Sequence, residues 1–326
     1  MFKFKKSKSV SLIIKDHVIR YAMMNHNDIT DPLSSGEKYL PTGVIRDGKI
    51  IDRDRLVMIL EECVDEWGLR RKDVHFIVPD AHVFFRELSI PTSIKKEEIK
   101  GYLFMELGNS IPLPFANPFF DYVTLDNVDN GKKILLFAAP EPIIQEYVSV
   151  LEEAKINPVS IEINALAMYR LLFTLDRVDP KEHLMFIEFD VDAVGVSIFH
   201  QHKPKYVHHL VNAGHVEQFE IEESQEMVQL HFTGDEMILY SDLQDTIGEI
   251  ERILNFYKYS LHKGEAEVSH LVLTGDHPYI KHIYNQMNES LPIKLESATD
   301  LFNEAGFSIA PRYLTTMGLA LKEVPK

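Results

Sequence analysis

Cysteine is nearly absent from the chain: Cys63 stands alone among 326 residues. That excludes an intramolecular disulfide and a cysteine-built zinc site, and it fits a reducing compartment. Glycine is sparse as well, with fifteen residues and no two at i, i+2. A GxGxxG fingerprint and a GxxxxGK[ST] loop are both missing, so a Rossmann dinucleotide site and a P-loop lose their sequence support. Neither GxSxG nor HExxH occurs, which removes two common hydrolase signatures. Basic residues are outnumbered: 34 Lys and Arg against 50 Asp and Glu leave a net charge of −16. Such a surface attracts neither DNA nor anionic lipid over its bulk. No basic patch is interleaved with aromatics, so no nucleic-acid partner is expected. No apolar run approaches the ~20 residues that span a bilayer. The run at 10–14, behind a basic start, is short and broken by Ser11, and does not read as a signal peptide. The expected location is cytoplasmic. Four lysines in the first eight residues read as a solvated terminus, with contact to an anionic membrane face as the alternative.

The hydrophobic share is 45% and the charged share 26%, an ordinary globular balance, and the length suits two lobes. Strands are predicted at 10–14 and 18–24, turning at Lys15-Asp16-His17. A helix follows over 53–67, with Leu56, Ile59, Leu60, Cys63, Val64 and Trp67 on one face,. Cys63 is therefore expected in the core. Strands at 74–78 and 83–90, a helix over 94–107 and a strand at 134–139 lead to helices reaching 155 and 175. The polar stretch 176–182 contains Pro180 and marks the expected lobe boundary, giving lobes 1–180 and 181–326. The second lobe opens with strands at 184–189, 194–200 and 206–211. No Lys or Arg occurs from 206 to 251, and 215–251 holds eleven Asp and Glu. A long helix is predicted over 235–262. Two lobes that start with hairpins and then alternate helix with strand predict an α/β fold, an internal duplication and a cleft between the halves. His200, His202, His208, His209 and His215 include an HxH spacing, but with no cysteine nearby solvated histidines are expected and no metal site.

Several segments, taken in order, resemble the PilM family of type IV pilus assembly proteins, which are actin-like and related to FtsA. They are Gly43-Val-Ile-x-x-Gly48-x-Ile50-x-Asp52, Val74-His-Phe-Ile-Val-Pro79, Arg86-Glu-Leu-Ser-Ile-Pro91, Ile111-Pro-Leu-Pro-Phe115, Glu249-Ile-Glu-Arg-Ile-Leu-Asn-Phe-Tyr257 and Gly318-Leu-Ala-Leu321. The resemblance implies an actin-like (ribonuclease H-like) two-lobe fold with a small α/β subdomain inserted at about 72–128. It also implies an interlobe ATP site built on two D-x-G hairpins and a G-G-x turn. Here those elements have decayed. Ile13 and Lys15 fall where the first Asp and Gly belong, Glu188-Phe189-Asp190 replaces the second D-x-G, and Thr274-Gly275-Asp276-His277 keeps one glycine. Lys15, Glu188, Asp190 and Gly275 thus mark a degenerate nucleotide cleft. No catalytic residue, metal or cofactor is expected, with residual ATP and Mg²⁺ binding as the alternative.

The resemblance further implies a partner: the short cytoplasmic tail of a PilN-like membrane protein, held in a groove between the hairpin lobe and the small subdomain. Phe84, Phe85 and Phe115 are the candidate contacts, because alternation along a strand sends Phe84 and Phe85 to opposite faces. The expected function is a cytoplasmic scaffold at the inner face of the membrane, recruited by that tail and by other inner-membrane pilus components. The alternative is an actin-fold ATPase whose turnover gates pilus assembly.

Overall fold

A computed structural model describes residues 9–24, 29–128, 131–211, 216–223 and 228–322. The terminal lysines of the first eight residues, and His215, lie outside the described residues. The first sheet, in the order β10-β6-β1-β2-β3, has five strands among the described residues. They are β1 (Ser9–Ile14), β2 (Val18–Met24), β3 (Ser34–Tyr39), β6 (Asp73–Ile77) and β10 (Asn157–Glu162). β1 and β2 are buried along their whole length, because helices cover both faces. The Lys15 N–H donates to the Val18 carbonyl at 2.9 Å and closes the turn between them. A short hairpin, β4 (Ile45–Arg46) with β5 (Lys49–Ile50), precedes α1 (Arg53–Trp67). The Asp52 side chain caps α1 by accepting from the Arg55 N–H, and Gly68, at φ 65, ends it,. Leu56, Ile59, Leu60, Cys63 and Val64 are buried as the periodicity predicts. Each aliphatic of that face stabilises the fold by about 1.5–3 kcal/mol relative to exposure. Cys63 is a core residue, and burial pushes its thiol up to about 12.

A smaller sheet, ordered β7-β9-β8, holds β7 (Phe84–Ile90), β8 (Pro118–Val128) and β9 (Gly131–Pro140), with α2 (Ile99–Glu106) packed on it. Its limits differ from the expected 72–128 at both ends. Asp73–Ile77 pairs in parallel with β1 and β10, whereas Gly131–Pro140 is the central strand of the small sheet. Sequence patterns show a strand but not its partner, and here the partner decides which sheet owns it. α3 (Glu141–Glu153) and α4 (Asn164–Thr174) complete this half.

The second five-stranded sheet, ordered β13-β12-β11-β16-β17, repeats the plan of the first. It contains β11 (Leu184–Phe189), β12 (Ala193–His200), β13 (Lys203–Val211), β16 (His270–Thr274) and β17 (Lys294–Ser297). The acidic stretch forms a hairpin of β14 (Phe219–Glu223) and β15 (Val228–Phe232), then α5 (Glu236–Asn255). The predicted helix over 235–262 is α5 continued by a π-helical stretch, Phe256–Leu261. α6 (Ile280–Ser290), α7 (Ala298–Ala305) and α8 (Leu314–Ala320) close the chain. α4 and α8 join the halves. Their residues share one buried cluster with Ala22 and Met24 of the first sheet and Leu184 and Phe186 of the second. Gly318 is required at their crossing, since a β-carbon there would lie 1.9 Å from the Ala167 carbonyl oxygen. Among the described residues no helix is long and apolar enough to cross a membrane.

Candidate functional site

Two features stand out, a charged cleft between the two large sheets and an apolar cavity beside the small one. In the cleft, the β1–β2 hairpin of one sheet faces the β11–β12 hairpin of the other. Lys15 Nζ lies 2.5 Å from Asp190 Oδ2 and 3.0 Å from Glu188 Oε1. His17 reaches Asp276 through Nε2 at 2.7 Å and Asp192 through Nδ1 at 3.2 Å. Arg20 contacts Asp276 at 2.7 Å and Glu37 at 3.0 Å, and Arg312 holds the other side of Glu37 at 2.7 Å. Asn164 donates to both Asp80 and Glu188, and Thr315 donates to Glu188 at 3.1 Å. Gly275, at φ 125, sits against the Phe189 backbone, where a β-carbon would lie 2.1 Å from the Phe189 carbonyl oxygen. The next residue, Asp276, donates its N–H to Asp190 Oδ1 at 3.2 Å.

The structure places Lys15, Glu188 and Asp190 in contact, with Gly275 against the backbone of Phe189 between the two acids. It adds His17, Arg20, Asp192 and Asp276, which sequence reasoning did not assign to the site. The space enclosed by Ile13, Lys15, Gly48, Asp80, Glu188 and Asp190 is about 60 Å³; a hollow of about 600 Å³ opens beside His17 and Asp192, and one of about 720 Å³ beside Gly275, Asp276 and Arg312.

Burial disfavours every charge here, and the outcome depends on the neighbours. For Lys15, burial works against the ammonium, but Asp190, Glu188 and Asp276 outweigh it and raise its pKa. For His17, burial is again overcome, by Asp276 and Asp192, and its pKa rises to about 10. Burial would raise Asp276, yet His17 and Arg20 hold it well below the usual carboxylate range. Burial pushes Asp190 upward; Lys15 opposes this, and Asp276, Glu188 and Asp192 add to it. Asp80 rises to about 7 through burial and the Glu188 charge, and Asp16 to about 6 through burial and Asp192. The cleft therefore holds ion pairs together with two carboxyls, Asp80 and Asp16, whose titration is moved up toward neutral pH.

The second feature is a cavity of about 580 Å³ between β8 and β10. Each of these is an outer strand of its sheet among the described residues. Phe76, Val78, Phe137, Ala139, Ile144 and Val148 are among the apolar residues lining it. Phe119, Val123 and Val159 line it too and are 46%, 54% and 41% exposed. Such exposure is unusual for three large apolar groups around one hollow. At one end, Lys322 Nζ donates to the Ile161 carbonyl at 2.8 Å and lies 3.3 Å from Glu162.

Phe84, Phe85 and Phe115 are not among the residues lining this cavity. β7 is the opposite outer strand of the small sheet and faces β13, where Lys205 lies 3.8 Å from Glu87. Phe84 packs on the α2 cluster with the Arg86 guanidinium 5.0 Å above its ring. Phe85 sits on the other face against Phe137, ring centroids 5.2 Å apart. Phe115 is half-buried in the loop before β8. The histidines also differ from simple solvated groups. His200 stacks on His183 at 3.9 Å, and His202 lies 2.7 Å from the Tyr169 hydroxyl. Among the described residues no three His, Cys, Asp or Glu are arranged to hold a metal ion.

A family profile described as Type IV pilus assembly protein PilM matches residues 34–324. No curated protein matches the chain in sequence. Among solved structures, the chain is similar to one described as the PilM-PilN type IV pilus biogenesis complex. Identity is 17%, the match covers 97% of this chain and 98% of that one, and the TM-score is 0.78. It is also similar to the ethanolamine utilization protein EutJ from Carboxydothermus hydrogenoformans. There the identity is 10%, the coverage 98% and 90%, and the TM-score 0.53. These matches show an actin-like fold, as the resemblance implied.

Proposed function

The chain belongs to the PilM family of type IV pilus assembly proteins, and we propose that it serves there as a binding scaffold rather than an ATPase. Its ligand is an extended cytoplasmic tail of a PilN-like membrane protein, seated between β8 and β10. The observation that carries this reading is the 580 Å³ apolar cavity flanked by two outer strands. An added strand can hydrogen-bond along such an edge and place alternate side chains in apolar pockets. The related solved structure is a complex of a PilM with a PilN, which supports a partner of that class. Phe119, Val123 and Val159 take the role that the sequence assigned to Phe84, Phe85 and Phe115. The tail would recruit the protein from the cytoplasm to the inner face of the membrane, beside other inner-membrane pilus components.

The interlobe cleft supports the same reading. Ligand pockets for drug-sized molecules run to roughly 300–1,000 Å³, and about 60 Å³ remains among Lys15, Glu188 and Asp190, where the hairpins would have to hold the phosphates. Lys15 lies where backbone would have to approach a phosphate, and Glu188, Asp190 and Asp192 would repel one. The residues present do not fit a nucleoside triphosphate with Mg²⁺, and no hydrolytic step is assigned to them.

Fluorescence anisotropy with a labelled PilN-like tail tests the scaffold reading. Phe119→Asp puts a charge into the cavity wall and is expected to weaken binding by roughly thirtyfold, the ~2 kcal/mol of an anchor residue. Phe84→Ala is expected to leave binding unchanged. Equal loss in both variants, or in neither, would place the tail elsewhere.

A further inference from the structure

Three cations, Lys15, His17 and Arg20, stand on a single hairpin of the first sheet, within six residues of one another. All three reach across to carboxylates of the second sheet and its loops: Glu188, Asp190, Asp192 and Asp276. His17, Arg20, Glu188 and Asp190 are each 5% exposed or less. These pairs are separated by as many as 259 residues in sequence, so they tie the two halves of the chain and not neighbouring turns. On the first sheet Arg20 is itself held by Glu37, and Glu37 by Arg312, at the start of the α8 connection. The hairpin is thus anchored behind as well as in front.

In a two-lobe fold, closure is set by whatever bridges the lobes, and a bound ligand is the usual bridge. Here the bridge belongs to the chain. We propose that the β1–β2 hairpin is a built-in clamp: its three cations hold the second sheet's carboxylates across the cleft and keep the lobes closed without a nucleotide. The lobe angle then becomes a fixed property of the scaffold, and the groove beside the small sheet does not vary with a nucleotide state. The geometry favours a permanent clamp over a weak one. Buried opposite charges left without partners are strongly unfavourable, so opening must expose or break several pairs at once. This inference stands apart from tail binding, and its test involves no tail.

Spin labels placed at Glu61 on α1 and Gln244 on α5, both exposed, in a Cys63→Ala background report the distance between the lobes. The full chain is expected to give one narrow distance distribution that millimolar Mg·ATP leaves unmoved. Lys15→Met and His17→Gln, separately and together, are expected to shift it to longer distances and broaden it. Asp190→Asn, which approaches the same contact from the other lobe with little change in shape, is expected to do the same, and carries the test if the cation variants do not fold. A distribution that stays narrow when either side is neutralised overturns the clamp. So does a parent protein whose distribution moves on adding Mg·ATP, since nucleotide would then set the angle.

Discussion

Removing the His17 charge has a consequence that pH isolates. In the folded chain its pKa is raised to about 10, because Asp276 and Asp192 outweigh the effect of burial. In the unfolded chain it takes its ordinary value near 6.5. Its contribution is therefore fully present below pH 6.5 and is lost as pH rises through 10. Between pH 7.5 and 9.0 the folded state holds one more proton than the unfolded state at this site. Stability then falls by about 1.4 kcal/mol per pH unit, or about 2 kcal/mol across that window. Few other shifted groups interfere there. Asp16 and Asp80, raised to about 6 and 7, lose most of their contribution below the window. Histidines with lowered values, such as His183 and His277 at about 4, act below pH 6.5. Cys63, raised to about 12, contributes mainly from about pH 9 upward. Urea unfolding at half-unit steps should show the downward slope in the parent protein and a nearly flat line in His17→Gln. The variant should also be about 3 kcal/mol less stable at pH 7.5, since the charged pairs of His17 with Asp276 and Asp192 are lost,. Parallel slopes in the two proteins would refute a charged His17 between Asp276 and Asp192.

Gly318→Ala forces a methyl group against the Ala167 carbonyl at the α4–α8 crossing, and should lower stability by about 1–3 kcal/mol in the same unfolding assay. Mg·ATP at 1 mM should leave the melting temperature unchanged; a micromolar site would add more than ~2.7 kcal/mol and move it visibly. Lys322→Ala frees the Ile161 carbonyl on the β10 edge, so tail affinity should rise roughly fivefold by anisotropy, about 1 kcal/mol for one hydrogen bond gained.

The elements that could be read from sequence are those whose burial is local and periodic. α1 shows its buried face at 3–4 spacing, and β1 and β2 are short apolar runs around a charged turn. β3, Ser-Ser-Gly-Glu-Lys-Tyr, has almost no apolar content and is a strand only because β2 pairs with it. The β14–β15 hairpin sits in the acidic stretch, and Phe219 and Phe232 are buried among its described side chains. In the cleft, Lys15 could be recognised as too bulky for a phosphate loop. The pairing of His17 with Asp276 had no local signal, because only the fold brings them together. The apolar cavity was hidden for a related reason. Sequence places aromatics on β7 and β8 alike, but only strand order shows that β7 faces the second lobe while β8 borders the hollow.

The most direct measurement is site-specific capture of the partner. A photo-reactive phenylalanine analogue is placed at Val159 on β10 or Phe119 on β8, and each protein is mixed with the full PilN-like partner in membranes and irradiated. A seat between the two strands predicts crosslinks from both positions to the partner's cytoplasmic tail, and none from Phe84 or from Phe104 on the exposed face of α2. Capture of the tail from Phe84 or Phe104, with silence at Val159 and Phe119, would contradict it.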